Sequence, residues 1–379
     1  MLSGPAAAAP TRAVARADAV DPLLMGRPLE TPHHGSFETF AFGGHAELRA
    51  ADDRVAGIAN PDWMSVPRVS AFATLRVHPR VALAGEATYD RGTDDLVLER
   101  AVVEARAGSA WYAHAGVFPP PLGRVNFDHD APRNEFDRLS YVATELIGTP
   151  NPQLGIGVHG IRAPSGGSPW TWELDLVSGY DEGVVTEAPL GTRLPMGRNN
   201  LGTGSGSWGF AGRLAVQPAP VTELGLSAFA GAYQAIQIDG VSVDPARAIL
   251  LAVADARAHA FGLRLSAEAA VASIDVASGL EGLYAERQWA ASVEAARTMR
   301  EPVARAWRRS SLIAAVRLEA VDHDAQIAGD SRYRASASLN LRQAAWGVLR
   351  AGWYYEFRRD RFDNLKPAAG LAFSLATYF

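Results

Sequence analysis

Apolar and polar residues alternate one for one along most of this chain. Leu349, Ala351, Trp353, Tyr355 and Phe357 oppose Arg350, Gly352, Tyr354, Glu356 and Arg358. The same alternation runs through Tyr333 to Arg342, where Tyr333, Ala335, Ala337, Leu339 and Leu341 face away from Arg334, Ser336, Ser338, Asn340 and Arg342. It recurs in Leu263 to Val271, in Trp170 to Leu176 and in Ala41 to Arg49. Strand side chains alternate between two faces, so each segment has one greasy and one polar face; a helical path would scatter the charges around a cylinder. Such segments begin near residues 37, 68, 81, 96, 110, 153, 169, 208, 221, 248, 261, 287, 311, 332, 346 and 368. Each is close to the roughly 10 residues that cross a bilayer at barrel tilt.

The joins between segments alternate as well. His78-Pro79-Arg80, Ala107-Gly108-Ser109, Pro218-Ala219-Pro220, Ala258-His259-Ala260 and Gln343-Ala344-Ala345 are short, whereas 50–67, 118–152, 181–206, 235–247, 275–286 and 358–367 are long. Residues 299–309, with Arg300, Arg305, Arg308 and Arg309, break the rule as a long join on the short side. The pattern predicts an all-β fold, a transmembrane antiparallel β-barrel of about 16 strands, with short periplasmic turns and long external loops. A soluble β-protein would give the same alternation with its faces exchanged. It would then need a facing sheet or helices, and the chain offers no persuasive amphipathic helix. Trp111, Trp170, Trp172, Trp208, Trp289, Trp346, Trp353 and Tyr355 gather near strand ends, as interfacial girdles do.

Composition narrows the picture further. The 379 residues carry a net charge of −5, one lysine (Lys366) and no cysteine. No basic run stands out, which argues against nucleic acid as a partner. No apolar run reaches the roughly 18 residues of a membrane helix, and Ala248–Ala254 is among the longest. Residues 1–36, rich in Pro, Ala and Arg with A-x-A sites around Ala15–Ala19, read as a processing remnant or flexible lead-in, leaving 37–379 as the barrel. His33 and His34 read as linker residues, without the neighbouring ligands a metal site needs.

The last stretch, Ala368 to Phe379, alternates apolar with small residues and closes on an aromatic. It resembles the sorting signal read by the bacterial barrel-assembly machinery, which implies that machinery as a partner, Phe379 as its signal, and the bacterial outer membrane with its lipid as the setting. The connection after the fifth segment is dense in Arg124, Asp128, His129, Asp130, Arg133, Glu135, Asp137 and Arg138. Loops of this length are functional or disordered. By position it is the third external loop. In place and charge it resembles the general-porin loop that folds inward and narrows the pore, here over 118–151. Gly116 to Gly160, opening on G-x-F-x-x-P-x-G, also resembles the phosphate- and carboxylate-selective porin group, although no lysine cluster suited to phosphate is present.

The resemblance implies an outer-membrane porin for passive diffusion of small hydrophilic solutes or ions, and a homotrimer. On the polar faces Arg257, Arg264, Arg317, Arg334, Arg342 and Arg350 accompany Glu268, Glu294, Glu319 and Glu356 as expected pore lining. A lining of mixed sign gives modest selectivity, and the basic late strands tilt it toward anions. The alternative is a closed outer-membrane barrel, enzymatic or structural. No catalytic residue, cofactor or metal is predicted. Asp128-His129-Asp130 and Asp322-His323-Asp324 lack a fixed ligand spacing. Gly202–Gly206 matches neither a nucleophile elbow nor a phosphate loop. His114 and His159 fall on inward faces, against an outward-facing barrel lipase.

Overall fold

A computed structural model describes residues 35–36 and 40–379, apart from 92–93, 166, 186–190, 199–200, 202–207, 235–236, 239–240, 243–245, 279 and 344–345. Most of the lead-in, including His33 and His34, the segment Gly202–Gly206 and part of the join at Ala344–Ala345 lie outside the described residues.

Sixteen long strands form one antiparallel sheet that closes on itself. They are β1 Phe40–Val55, β2 Ile58–His78, β3 Val81–Asp90, β4 Asp95–Arg106, β5 Trp111–Phe118, β6 Gln153–Arg162, β7 Trp170–Val177 and β8 Gly209–Ala219. β9 Thr222–Gln234, β10 Ala246–Ala260, β11 Leu263–Ile274, β12 Arg287–Arg300, β13 Ser310–Asp322, β14 Ser331–Gln343, β15 Gly347–Arg358 and β16 Ala368–Tyr378 follow. Each pairs with its sequence neighbour, and β16 returns to β1 with Tyr378 opposite His45 and Ala368 opposite Val55. Among the described residues neither edge of this sixteen-stranded sheet is left open, which is how a membrane barrel satisfies its backbone without water.

The two faces settle the orientation of the pattern. Leu226, Leu250, Val271, Val293, Leu318, Leu349 and Phe373 are exposed on the outside, while Arg317, Glu319, Arg334, Arg350 and Glu356 are buried inside. A water-soluble sheet would have them the other way round. Exposed Trp111, Phe261, Trp307, Trp346 and Phe379 lie at the turn end, and Tyr89, Phe210, Tyr333 and Phe357 toward the loop end, forming two aromatic bands.

One expected loop is absent. Residues 50–67 belong instead to a hairpin in which β1 and β2 run on to Val55 and Ile58. Only Ala56 and Gly57 turn, with φ of 50° and 83°. Positive φ at both central residues is the hairpin geometry that matches strand twist, and glycine takes it without strain. Asp52 and Asp53 lie within β1, and Pro61 and Pro67 within β2. The register shifts on both sides of Arg49, opposite the stretch holding Pro67, and a bulge tolerates a residue without an N–H. The tenth strand turns at Phe261–Gly262, just beyond the expected join at 258–260. The long join at 301–309 is present, pinned by a bridge between Ala304 and Trp307.

Candidate functional site

Between β5 and β6 the chain turns into the barrel. Its side chains and carbonyls meet inward-facing residues from strands on opposite walls. Near its start Gly123 donates to Ser227 Oγ (3.1 Å) and Arg124 to both oxygens of Glu223 (3.0 and 3.1 Å), both on β9. Next, His129 Nε2 meets Glu99 at 2.8 Å on β4. A register shift beside Glu86 lets Glu99 and its neighbour Arg100 both face inward, where both are buried. Burial disfavours a charged His129, but Glu99 outweighs it and holds the imidazole above its ordinary range. Asp130 accepts from Tyr378 Oη (2.9 Å) and lies 3.6 Å from His45, while Arg133 pairs back onto Asp128.

The middle of the loop is held from β13–β16. Arg342 donates to Pro132 O and Arg350 to Ala131 O. Arg350 also reaches Asn134 O (3.2 Å), Glu47 (2.9 Å) and Ser374 (2.9 Å). Ser338 donates to Glu135 O at 2.8 Å, and Asn340 to the Glu135 carboxylate at 3.0 Å, which also pairs with Arg264 and Arg342. Arg317 donates to Arg138 O (2.8 Å) and lies over the Phe136 ring at 4.4 Å. Asp137 pairs with Arg49 at 2.9 Å, and Arg138 with Asp53. Burial alone would raise the Asp137 pKa; Arg49 and Arg138 outweigh it and keep the carboxyl below its ordinary range. Tyr141 donates to Glu356 (2.5 Å), receives Arg334 over its ring at 4.2 Å, and gives its N–H to Glu319 (3.1 Å).

These tethers follow from the ladder. Glu319, Arg334 and Glu356 are direct partners on β13, β14 and β15, so opposite charges stand side by side on the inner face. Buried charges need partners, and hydrogen bonds to charged groups contribute about 1.5–3 kcal/mol each. The wall therefore anchors the loop rather than merely facing it.

The far end of the loop is held differently. Val142–Ile147 forms one wide helical turn whose Val142, Leu146 and Ile147 are fully buried. They belong to an apolar cluster with Tyr180, Val184 and Leu194 from the connection after β7, and Phe229, Tyr233, Ile249, Leu251 and Val253 from β9 and β10. Part of the lumen is thus filled with hydrocarbon, which the expectation of a polar interior missed. The signal was present: Ala248–Ala254 is apolar on both faces, so Ile249, Leu251 and Val253 point inward while Leu250 points out.

On the other side space remains. A 610 Å3 cavity opens toward the loop end, lined by Arg49, Arg68, Arg91, Arg138, Arg198, Arg332, Arg334 and Arg358 among six carboxylates. Below it a 510 Å3 cavity is lined by Arg124, Arg133, Arg257, Arg264, Arg317 and Arg342 with Asp128, Glu135, Asp255, Glu268 and Glu294. Asn134, Phe136 and Leu139 line both, so residues 134–139 separate the two chambers.

A barrel of sixteen strands with a segment drawn inside has clear structural counterparts. An anion-selective porin from Comamonas acidovorans superposes with a TM-score of 0.57 at 11% identity, over 90% of this chain and 99% of that one. Pseudomonas putida OprB, in its high-pH structure, gives 0.56 at 12% identity over 90% and 94%. The trimer form of OmpT, an outer membrane protein of Vibrio cholerae, gives 0.54 at 9% identity over 90% and 100%. Its fold is that of the outer-membrane porins. No family model and no curated protein sequence matches the chain, so the likeness lies in the fold alone. The architecture is that of a bacterial outer-membrane β-barrel.

Against this porin fold, all eight charged loop residues named from sequence lie between β5 and β6, with Arg124, Asp128, His129, Arg133, Glu135, Asp137 and Arg138 on cavity walls and Asp130 turned into the β1–β16 seam. The ten expected lining residues all face inward, but Arg350 is 4% and Glu319 5% exposed, both occupied in holding the loop or its tethers. Sequence reading missed Glu47, Asp53, Glu99, Glu223 and Tyr354, the partners that complete these pairs. Only the inward parity of Glu47 and Tyr354 within alternating segments could have found two of them.

Proposed function

We propose that this protein is an outer-membrane diffusion channel for small hydrophilic solutes and ions, narrowed by the loop between β5 and β6, with a slight preference for anions. The observation that carries this reading is the pair of charged chambers above and below residues 134–139. Eight arginines against six carboxylates line the upper chamber, and six against five the lower, an excess of positive charge in each. Sets of fixed charge of one sign favour the counter-ion, and a small excess favours it modestly. Arg124, Asp128, His129, Asp130, Arg133, Glu135, Asp137 and Arg138 form the constriction segment, and the late-strand arginines its opposing wall. The anion-selective porin among the structural counterparts supports the preference, and the trimer form of the Vibrio protein supports a homotrimeric assembly.

Planar-bilayer recording of the detergent-purified protein under a salt gradient tests the proposal. Stable conductance steps with a reversal potential of anionic sign are expected. Silence from well-folded, heat-modifiable protein overturns the channel reading in favour of a closed barrel. The apolar cluster that fills part of the lumen is the observation favouring that second reading.

A further inference from the structure

Across the wall formed by β4–β7, one ladder row aligns Glu104, His114, Gly157 and Asp175. The adjacent inward row toward the turn end brings His159 and Glu173 opposite each other. Strand parity sends all of these side chains to the lumen side. Gly157 has none, so the imidazole of His114 and the carboxylate of Asp175 reach across it and approach to 3.0 Å (Nε2 to Oδ1). A Cβ at position 157 would strike Asp175 Oδ1 and come within 2.5 Å of His114 Nε2. The glycine thus leaves a gap with donor atoms at its rim. One ligand atom from each of His114, Glu173 and Asp175 falls within 4.8 Å of the others. His159 Nε2 and Glu104 Oε2, 3.3 Å apart, stand beside them.

The chemistry of this cluster is incomplete as it stands. The side chains of His114 and Asp175 are fully buried. The 3.0 Å approach of His114 to Asp175 lacks hydrogen-bond geometry, and neither ring nitrogen of His114, neither oxygen of Asp175 and not Oε1 of Glu173 has a hydrogen-bond partner. Buried polar groups without partners are costly, and buried carboxylates without countercharge more so. Three carboxyl groups, of Glu104, Glu173 and Asp175, gather around the two imidazoles, with Arg100 the nearby guanidinium. A divalent cation would take one lone pair from each of His114, Glu173 and Asp175, whose donor atoms already lie within 4.8 Å of one another.

We propose that His114, Glu173 and Asp175 form a buried site for a divalent transition-metal cation, backed by His159 and Glu104. Mixed imidazole and carboxylate donors suit zinc and its neighbours; calcium and magnesium prefer oxygen alone. Zinc bonds of about 2.0–2.2 Å require the donors to draw somewhat closer, which side-chain rotation provides. Phe118, the last residue of β5, sets its ring edge-on to His114 at 4.6 Å, so the ion would stiffen the strand end from which the inward loop departs.

The test is zinc binding by the full, detergent-folded protein, independent of conductance. Protein stripped with a chelator is loaded with zinc chloride in two ways, as the folded barrel and by refolding in its presence. It is then desalted and its zinc measured by elemental mass spectrometry, with heat-modifiability confirming the fold. One zinc per barrel is expected by at least one route, and loading with cobalt(II) should give the visible spectrum of nitrogen and oxygen ligation. H114Q and D175N should each weaken zinc affinity at least about tenfold. G157A, which fills the gap without removing a ligand, should do likewise. H78A, at the exposed end of β2, and the double replacement H33A/H34A should leave binding unchanged. Substoichiometric zinc by both routes overturns the proposal. So does zinc retained by H114Q and D175N, or zinc lost with His78 or the His33–His34 pair.

Discussion

The two ends of the inward loop are fastened by opposite means. Residues 131–141 are tied to β13–β16 and β1 by arginines and carboxylates, whereas Val142–Ile147 is packed into hydrocarbon against β9 and β10. Polar fastening leaves space beside many of its tethers, among them Arg49, Arg138, Arg317, Arg334 and Arg342, and the two chambers lie there. Apolar fastening excludes water and leaves none. In the proposed channel the lumen is thus divided into a route and a foundation, with the arginine wall positioning the constriction and colouring the route electrostatically.

Substitutions that separate these tasks test the division. Arg350→Met should have the largest effect, since it removes every tether from that side chain and leaves Glu47 buried without its cation, a loss of about 3–5 kcal/mol. Single-channel conductance should rise and the reversal potential should shift toward cations. Leu146→Ala opens a hole in the apolar foundation at a cost of about 2–5 kcal/mol. Limited proteolysis should then cut residues 142–152 faster while ion selectivity holds; a selectivity change as large as that of Arg350→Met would collapse the distinction. Tyr141→Phe removes one hydrogen bond to the Glu356 carboxylate, about 1.5–3 kcal/mol, and should raise open-channel noise without altering mean selectivity.

The smallest effect is expected from pH at His129. Its pKa is raised in the folded protein, so the charged pairing with Glu99 is fully present below the ordinary value of 6.5 and is lost as pH climbs through the raised one. Protease cleavage near 128–131 should increase over that alkaline window. His129→Gln should flatten the dependence.

How much of this was legible follows from the physics of each part. The strands were, because lipid outside and charge inside force strict alternation over Leu349–Arg358 and its counterparts. The β1–β2 hairpin was not, since Pro61, Pro67 and the Asp52-Asp53 pair favour loops, and the register shifts beside Arg49 that admit Pro67 leave no mark on the alternation. The length and proline punctuation of the third connection marked it as unusual, but its partners depend on the path it takes between walls. The apolar foundation broke the rule that a barrel interior is polar. Its clue, strand β10 greasy on both faces, was read only as too short for a membrane helix. Glu99 owes its inward aim to an inserted residue that no periodicity reveals.

The seam between β16 and β1 has a bearing on assembly. Tyr378 lies opposite His45, and Phe379 exchanges backbone hydrogen bonds with Gly44. These partners stand at almost opposite ends of the sequence, and contacts so distant form late because the intervening chain must first be gathered. Until then the growing sheet carries two raw margins that any other strand could adopt. The last pairing therefore acts as a deadline: before it the molecule is an open template, and after it a ring whose two margins are spent on each other.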